Sequence, residues 1–268
     1  AGQWLNNLTE VKFAVIFGEV KTVFPKAIEI AKRNRAHLSA QVIIDRAAVD
    51  SARDCEQTRA DIRSRAAQAM SELEEIKGKR KLKIGISYEE GHPEELLACE
   101  DHGACLLVLP REGWFHHGND DPRPDTSWAP DGLLRLPSVH QGPVLFTSGH
   151  AARRSKVIVH DCGEPHLAKG LDWALRAQIW RSPELIVVGE HDEERMAKLE
   201  SIATDHEVGS QFLAAAPGQE SLLPASLADA DAIILARAPR PLRTRWYGHA
   251  WYDRLLPGFQ GDVLILGD

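Results

Sequence analysis

The sequence is short of the residues on which the strongest functional signatures rest. Its 268 residues include two methionines, Met70 and Met196, and four cysteines, Cys55, Cys99, Cys105 and Cys162. None of the cysteines sits in a CxxC pair or a secreted-type framework, which points to a reducing compartment. No stretch approaches the ~18 consecutive apolar residues of a membrane span, and no signal peptide is visible. Positive charge is not in excess: the net charge is −7 and the isoelectric point about 6.0. Neither nucleic acid nor an anionic lipid surface therefore finds electrostatic support. A Ser/His/Asp order, a nucleophile elbow and an HExxH motif are all missing, so triad and zincin chemistry have nothing to attach to. The expectation is a chain without catalytic residues, cofactor or metal, one that is not an enzyme.

What is present has a globular composition: 43% hydrophobic and 26% charged residues, with a mean hydropathy of −0.29. The length exceeds one ordinary domain and suits two compact units. The chain starts at Ala1, which fits an excised piece of a longer protein and fits a processed N-terminus equally well.

Apolar runs and helical stripes alternate along the chain. Val11–Phe17, His37–Ile44, Leu82–Ser87, Ala104–Leu109 and Pro143–Thr147 read as buried strands. Between them, Phe24–Arg35 and Pro93–Glu100 read as helices. Ser51–Lys77 reads as a long helix that Gly78 ends. A polar, proline-rich stretch over Gly113–Pro130 is the longest loop. The order then repeats. Strands are expected at Lys156–His160, Glu184–Val188, Gly209–Ala215, Ala232–Ala236 and Asp262–Leu266. Helices are expected at Pro165–Ile179, Glu193–Ala203 and near Leu222–Leu227.

Two local echoes support an internal duplication. Lys12-Phe-Ala-Val-Ile-Phe-Gly18-Glu19 is matched by Lys156-Val-Ile-Val-His-Asp-Cys-Gly163-Glu164, and Gln141-Gly142-Pro143-Val144 by Gln260-Gly261-Asp262-Val263. Alternating strands and helices require a parallel sheet with right-handed crossovers. The expected fold is therefore α/β, with two tandem Rossmann-like units over 1–150 and 151–268. Each is an open, mostly parallel five-stranded sheet flanked by helices, with the boundary near Arg153 and Arg154.

Few residues stand out as site candidates. Gly18 and Gly163 each follow a strand alone, short of the glycine-rich cradle that a phosphate needs. His160 and Asp161 end a strand, where open α/β sheets place ligands. An Asp there suits a ribose or a cation and equally suits capping of the next helix, so both readings stand. Cys99, His102 and Cys105 run from a helix end into a buried strand, so their side chains should diverge rather than share a metal. His116 and His117 sit in the polar loop ahead of Asp120 and Asp121. Trp246, Tyr247, Trp251 and Tyr252 form an aromatic cluster larger than one small helix can bury, suited to packing across the halves or against a partner.

The order of elements resembles a tandem universal stress protein. ATP-binding members of that family carry G-x-x-G, nine residues, then G-[ST] after the fourth strand. Here those places hold Pro110–Gly118 and Arg237–Arg245, and neither fits. The family's early Asp has a counterpart only in Asp161. The resemblance implies a relative that does not bind nucleotide.

A second resemblance is to the cytosolic C-terminal domain of cation-chloride cotransporters, which uses the same doubled fold. It rests on Leu106–Trp114, on Ile158-Val-His-Asp-Cys-Gly163 with Leu167, Leu171, Leu175 and Trp180, and on Ile233–Pro241 with Trp251-Tyr252 and Val263–Leu266. It implies a non-enzymatic regulatory and oligomerisation domain on the cytoplasmic side of a membrane, as part of an integral membrane protein. Its partners would be a second copy, as a homodimer, and the membrane domain of the same transporter, with no insertion of this segment into lipid. The aromatic cluster and the 113–130 loop would be its contact and switching surfaces. The alternative is a stand-alone tandem stress protein that senses a small ligand without the ATP-binding glycine motif.

Overall fold

The computed structural model of the chain describes residues 7–16, 20–97, 104–111, 140, 142–149, 155–189, 192–214, 223–236 and 259–267. The first half supplies β1 (Glu10–Val15), α1 (Val20–Asn34), β2 (His37–Asp45), α2 (Arg46–Ser51), α3 (Cys55–Arg80), β3 (Ile84–Gly91), α4 (Pro93–Leu96), β4 (Cys105–Pro110) and β5 (Val144–Thr147). The second supplies β6 (Lys156–Asp161), α5 (Leu167–Arg176), β7 (Glu184–Gly189), α6 (Glu193–Asp205), β8 (Ser210–Ala214), a 3-10 turn at Ala225–Leu227, β9 (Ala232–Ala236) and β10 (Asp262–Leu266).

The ten strands form one sheet in the order β3-β2-β1-β4-β5-β10-β9-β6-β7-β8. Every neighbouring pair is parallel except β5 with β10, which run antiparallel through Val144, Leu145 and Phe146 against Ile265, Leu264 and Val263. The α/β fold with a mostly parallel open sheet is thus as expected. Each half places its strands in the same spatial order, and the two meet at the antiparallel seam. Parallel strands buried on both faces read as continuous apolar runs, and β4, β5 and β9 are buried along their whole length.

One face carries the helices. Its core joins Val11, Phe13 and Val15 of β1 to Val23, Ala27 and Ile30 of α1, and continues through Trp173 of α5, Leu199 of α6 and Leu264 of β10. The opposite face holds a second core, with Ala14, Leu107, Phe146, Ile158, Ile186, Ile233 and Ile265 under Leu97, Leu227 and Phe259. The seam also has a polar cluster at the start of β10. Asp262 is buried and accepts hydrogen bonds from the Ser148 backbone N–H at 2.9 Å and hydroxyl at 3.1 Å, and from the Trp180 indole at 3.3 Å. Lys26 of α1 pairs with it at 3.3 Å. Nearby, Arg33 and Asn34 at the end of α1 donate to the Gln178 and Ala177 carbonyls just past α5.

Several boundaries depart from the sequence reading. Gly78 does not end α3. The helix runs on to Arg80 and closes at Lys81 in the left-handed region, φ 49°. Gly78 instead sits in the last turn, and its carbonyl takes the Lys81 N–H. Helix α1 begins at Val20, four residues before the expected start, because Pro25 lies inside the helix instead of opening it. Strand β3 extends to Gly91, since an edge strand needs only its β2 partner and no apolar pattern through Tyr88-Glu89-Glu90.

Candidate functional site

Two places merit attention, and the first is the one the sequence singled out. Asp161 ends β6, and its carboxylate is engaged on both oxygens. Arg195, in the first turn of α6, donates from Nε to one oxygen at 3.1 Å and from a terminal nitrogen to the other. The Gly163 N–H donates to the second oxygen at 3.1 Å, closing an Asx turn. Gly163 is held at φ +94°, and a Cβ there would meet the Arg195 guanidinium at 3.2 Å. Asp161 therefore caps neither neighbouring helix: His166 occupies the cap of α5 without a side-chain bond, and Asp192 caps α6. Arg195 lies over the strand end, beside the place where a ribose or cation would have to reach the carboxylate. His160 is buried on the opposite side of β6, so the two candidate residues point to different faces of the sheet. Cys162 reaches solvent. Its thiol is nevertheless pushed up to about 11, first by desolvation and then by the Glu164 carboxylate.

The second place went unnoticed in the sequence. A cavity of about 410 Å³ opens on the face opposite the helices, over β1, β2 and β3. Glu10, Lys12, Ser39, Gln41, Ser87 and Glu89 line it, and Leu96 of α4 closes one side. Gln41 is buried and donates to the Leu96 carbonyl at 3.3 Å. Glu10 accepts the Ser39 hydroxyl at 2.9 Å. Lys12 is half-buried on an interior strand, and among the described residues no ion pair or hydrogen bond reaches its ammonium group. Ser87 and Glu89 stand exposed at the mouth.

The register of the sheet makes this cavity unusual. Lys12 pairs with Ser39 and Leu107, as Ile158 pairs with Ile186 and Ile233. Ser39 and Gln41 pair with Gly85 and Ser87, as Ile186 and Val188 pair with Gln211 and Leu213. Lys12, Ser39 and Gln41 thus occupy the places that Ile158, Ile186 and Val188 hold in the second half. Those three are 0%, 5% and 0% exposed within the second core. The same places are apolar and buried in one half of the sheet and polar, around an open cavity, in the other. The same register equates Glu10 with Lys156, which shifts the first sequence echo by two residues. The echo around Gly142 and Gly261 keeps its alignment, with Val144 opposite Leu107 and Val263 beside Ile233.

A signal for this site existed in the sequence: a lysine in the first strand and a Ser-x-Gln in the second interrupt strands that should be apolar throughout. The Arg195 pairing had no such signal, since 34 residues separate it from Asp161. Trp246, Tyr247, Trp251 and Tyr252 lie outside the described residues, as do Gly18, Cys99, His102, His116, His117 and the 113–130 loop. Cys105 is buried in β4. Among the described residues no group of three or more His, Cys, Asp or Glu is placed to hold a metal, and no helix is long and apolar enough to cross a membrane.

No protein-family model and no curated protein matches the chain. Solved structures do. A functionally unknown protein from Pseudomonas aeruginosa PAO1 aligns over 100% of this chain and 95% of its own, at TM-score 0.60 and 14% identity. A candidate universal stress protein from Pseudomonas aeruginosa UCBPP-PA14 aligns over the same shares at TM-score 0.58 and 14% identity. A universal stress protein from Archaeoglobus fulgidus DSM 4304 aligns over 98% of each chain at TM-score 0.59 and 13% identity. At such identity the likeness defines the fold, which is universal-stress-protein-like over the whole chain. Nothing in these comparisons links the chain to a cation-chloride cotransporter.

Proposed function

We propose that this protein is a non-catalytic, tandem universal-stress-protein-like sensor of a small polar ligand, and that its ligand is not a nucleotide. The observation that carries this reading is the polar cavity at Lys12, Ser39 and Gln41, built where the other half of the same sheet has Ile158, Ile186 and Val188. Its volume falls within the ~300–1,000 Å³ of small-molecule pockets. Among the described residues no carboxylate forms an ion pair with the half-buried Lys12, and a ligand that does so would gain a charge-assisted hydrogen bond there. The Asp161 carboxylate, the one residue matching the stress-protein pattern, is held by Arg195 and Gly163, which counts against nucleotide binding at that strand end.

The test is thermal unfolding of the full chain with ATP, ADP and a panel of small polar metabolites. A ligand that binds only the native state raises its stability. Nucleotides are expected to leave the midpoint unchanged, and at least one small metabolite is expected to raise it saturably. Saturable stabilisation by ATP at micromolar concentration, abolished by changes at Asp161 and untouched by changes at Lys12, would overturn the proposal.

A further inference from the structure

We infer that the cavity over β1, β2 and β3 takes a small zwitterion of the free amino acid class; this rests on the ligand-sensing reading above and adds the ligand's chemistry. The argument begins with charge. Lys12 and Glu10 project from one strand two residues apart onto one face, yet among the described residues no ion pair joins them. Glu10 leans away toward β2, where Ser39 donates to one of its oxygens. That hydrogen bond fixes the carboxylate and leaves its second oxygen to accept from a ligand. Among the described residues nothing accepts from the Lys12 ammonium group, which stands half-buried on an inner strand, where a partner charge is worth more than on the open surface.

Two charges of opposite sign, both lining one cavity and not paired with each other, suit a molecule that carries both. A ligand carboxylate would take the Lys12 ammonium group, and a ligand ammonium group would take Glu10. Gln41 is buried with its Nε2 donated to Leu96, so its amide oxygen remains an acceptor that favours an N–H or O–H on the ligand. A phosphate fits worse: it brings only negative charge, which the lining carboxylates Glu10 and Glu89 would repel. A bare cation or polyamine would meet Lys12. Gly85 also lines the cavity, and a Cβ there would crowd the His37 ring at 3.3 Å.

Titration calorimetry of the full chain with the proteinogenic amino acids tests this, each hit being compared with the amine and the carboxylic acid of the same skeleton. At least one amino acid should bind saturably, and its amine-only and acid-only analogues at least tenfold more weakly. Lys12→Ile places in the first half the residue that the second half already carries, so the variant should fold with an unchanged or higher melting temperature while losing tenfold or more in affinity. Glu10→Gln keeps an acceptor for Ser39 and should weaken binding similarly. An acid-only analogue that binds as tightly as its amino acid would overturn the zwitterion. So would a neutral metabolite binding in a Lys12-dependent manner, although the sensor reading would survive either result. If no small molecule binds and Lys12→Ile changes nothing but stability, both readings fall.

Discussion

Asp262 shows how much one side chain can organise. It is the first residue of β10, buried at the seam, and it gathers a lysine, an indole, a hydroxyl and a backbone N–H from three other segments. Burial lowers the Lys26 pKa from its ordinary value, and the nearby Asp262 charge only partly offsets that. Because the folded value lies below the unfolded one, the unfolded chain binds more protons in the interval between them. Stability from this group therefore rises with pH across that interval, and the penalty for keeping Lys26 charged is felt in full below it. Measured against Lys26→Met, wild-type stability should gain as the pH rises from below the lowered folded value toward the ordinary lysine value of 10.5. A difference that stays flat over that range would show that Lys26 titrates alike in both states. Asp262→Ala should cost about 3–5 kcal/mol in urea unfolding, because it leaves Lys26 buried without its partner.

Cys162 gives a second residue-scale prediction. With its thiol pushed up to about 11, only about one part in a thousand is thiolate at pH 8, and the thiolate is the nucleophile. Alkylation of Cys162 by iodoacetamide, followed by peptide mass spectrometry, should quicken about tenfold per pH unit until it levels near that value. A rate that levels by pH 9 would mean that neither the surrounding protein nor Glu164 restrains the thiolate.

At the scale of single elements, glycines in helices separate local preference from packing. A methyl group at Gly78 in α3 would meet nothing within 4 Å, so Gly78→Ala should stabilise by about 0.5–1 kcal/mol through helix propensity alone. Gly170 in α5 has the same intrinsic preference, but a Cβ there would clash with a Leu266 methyl. Gly170→Ala should therefore destabilise by about 1–3 kcal/mol despite the better helix former, as β10 and α5 are forced apart. Paired denaturation curves read both signs; equal signs would mean the α5–β10 contact is looser than it stands.

Those same elements show what was legible beforehand. The inner strands could be read from their mostly apolar runs, because strands covered on both faces have little choice of composition, whereas the edge strands β3 and β8 are largely exposed and β3 runs on past its apolar start. The helix ends could not. Gly78 resembles a stop, yet the left-handed residue falls at Lys81. The corresponding residues after α1, α5 and α6 are Arg35, Gln178 and Glu207, again without a glycine. Local backbone bonds close all four ends without a glycine, as when the Ala36 N–H reaches back to the Ala31 carbonyl and the Leu82 N–H to the Lys77 carbonyl. The Asp161 position was legible as a strand end, but its partner was not, because ion pairing across 34 residues leaves no local trace. Lys12, Ser39 and Gln41 were visible as interruptions, and only the register, by setting them against Ile158, Ile186 and Val188, gave them meaning.

At the scale of the whole molecule, the seam decides whether the halves can live apart. Strand β5 is buried along its length and sits between β4 and β10. Removing the second half would bare the backbone edge of Val144-Leu145-Phe146 together with their apolar side chains, and an uncharged apolar edge is a template for pairing with another chain. The helix-side core also runs without a break from Val11 to Leu266, so the full chain should unfold in one transition, with tryptophan fluorescence and far-ultraviolet circular dichroism coinciding. Residues 1–149 expressed alone should not behave as a monomer. The antiparallel β5–β10 contact can be imitated by β5 against β5 of a second copy, since both strands enter it with the same spacing from Leu107 and Ile233. Light scattering on the purified fragment should therefore return a dimer or larger assembly. A soluble monomeric fragment, matched by two separate transitions in the full chain, would mean that the halves are independent domains and that the seam is a contact between them, not part of one core.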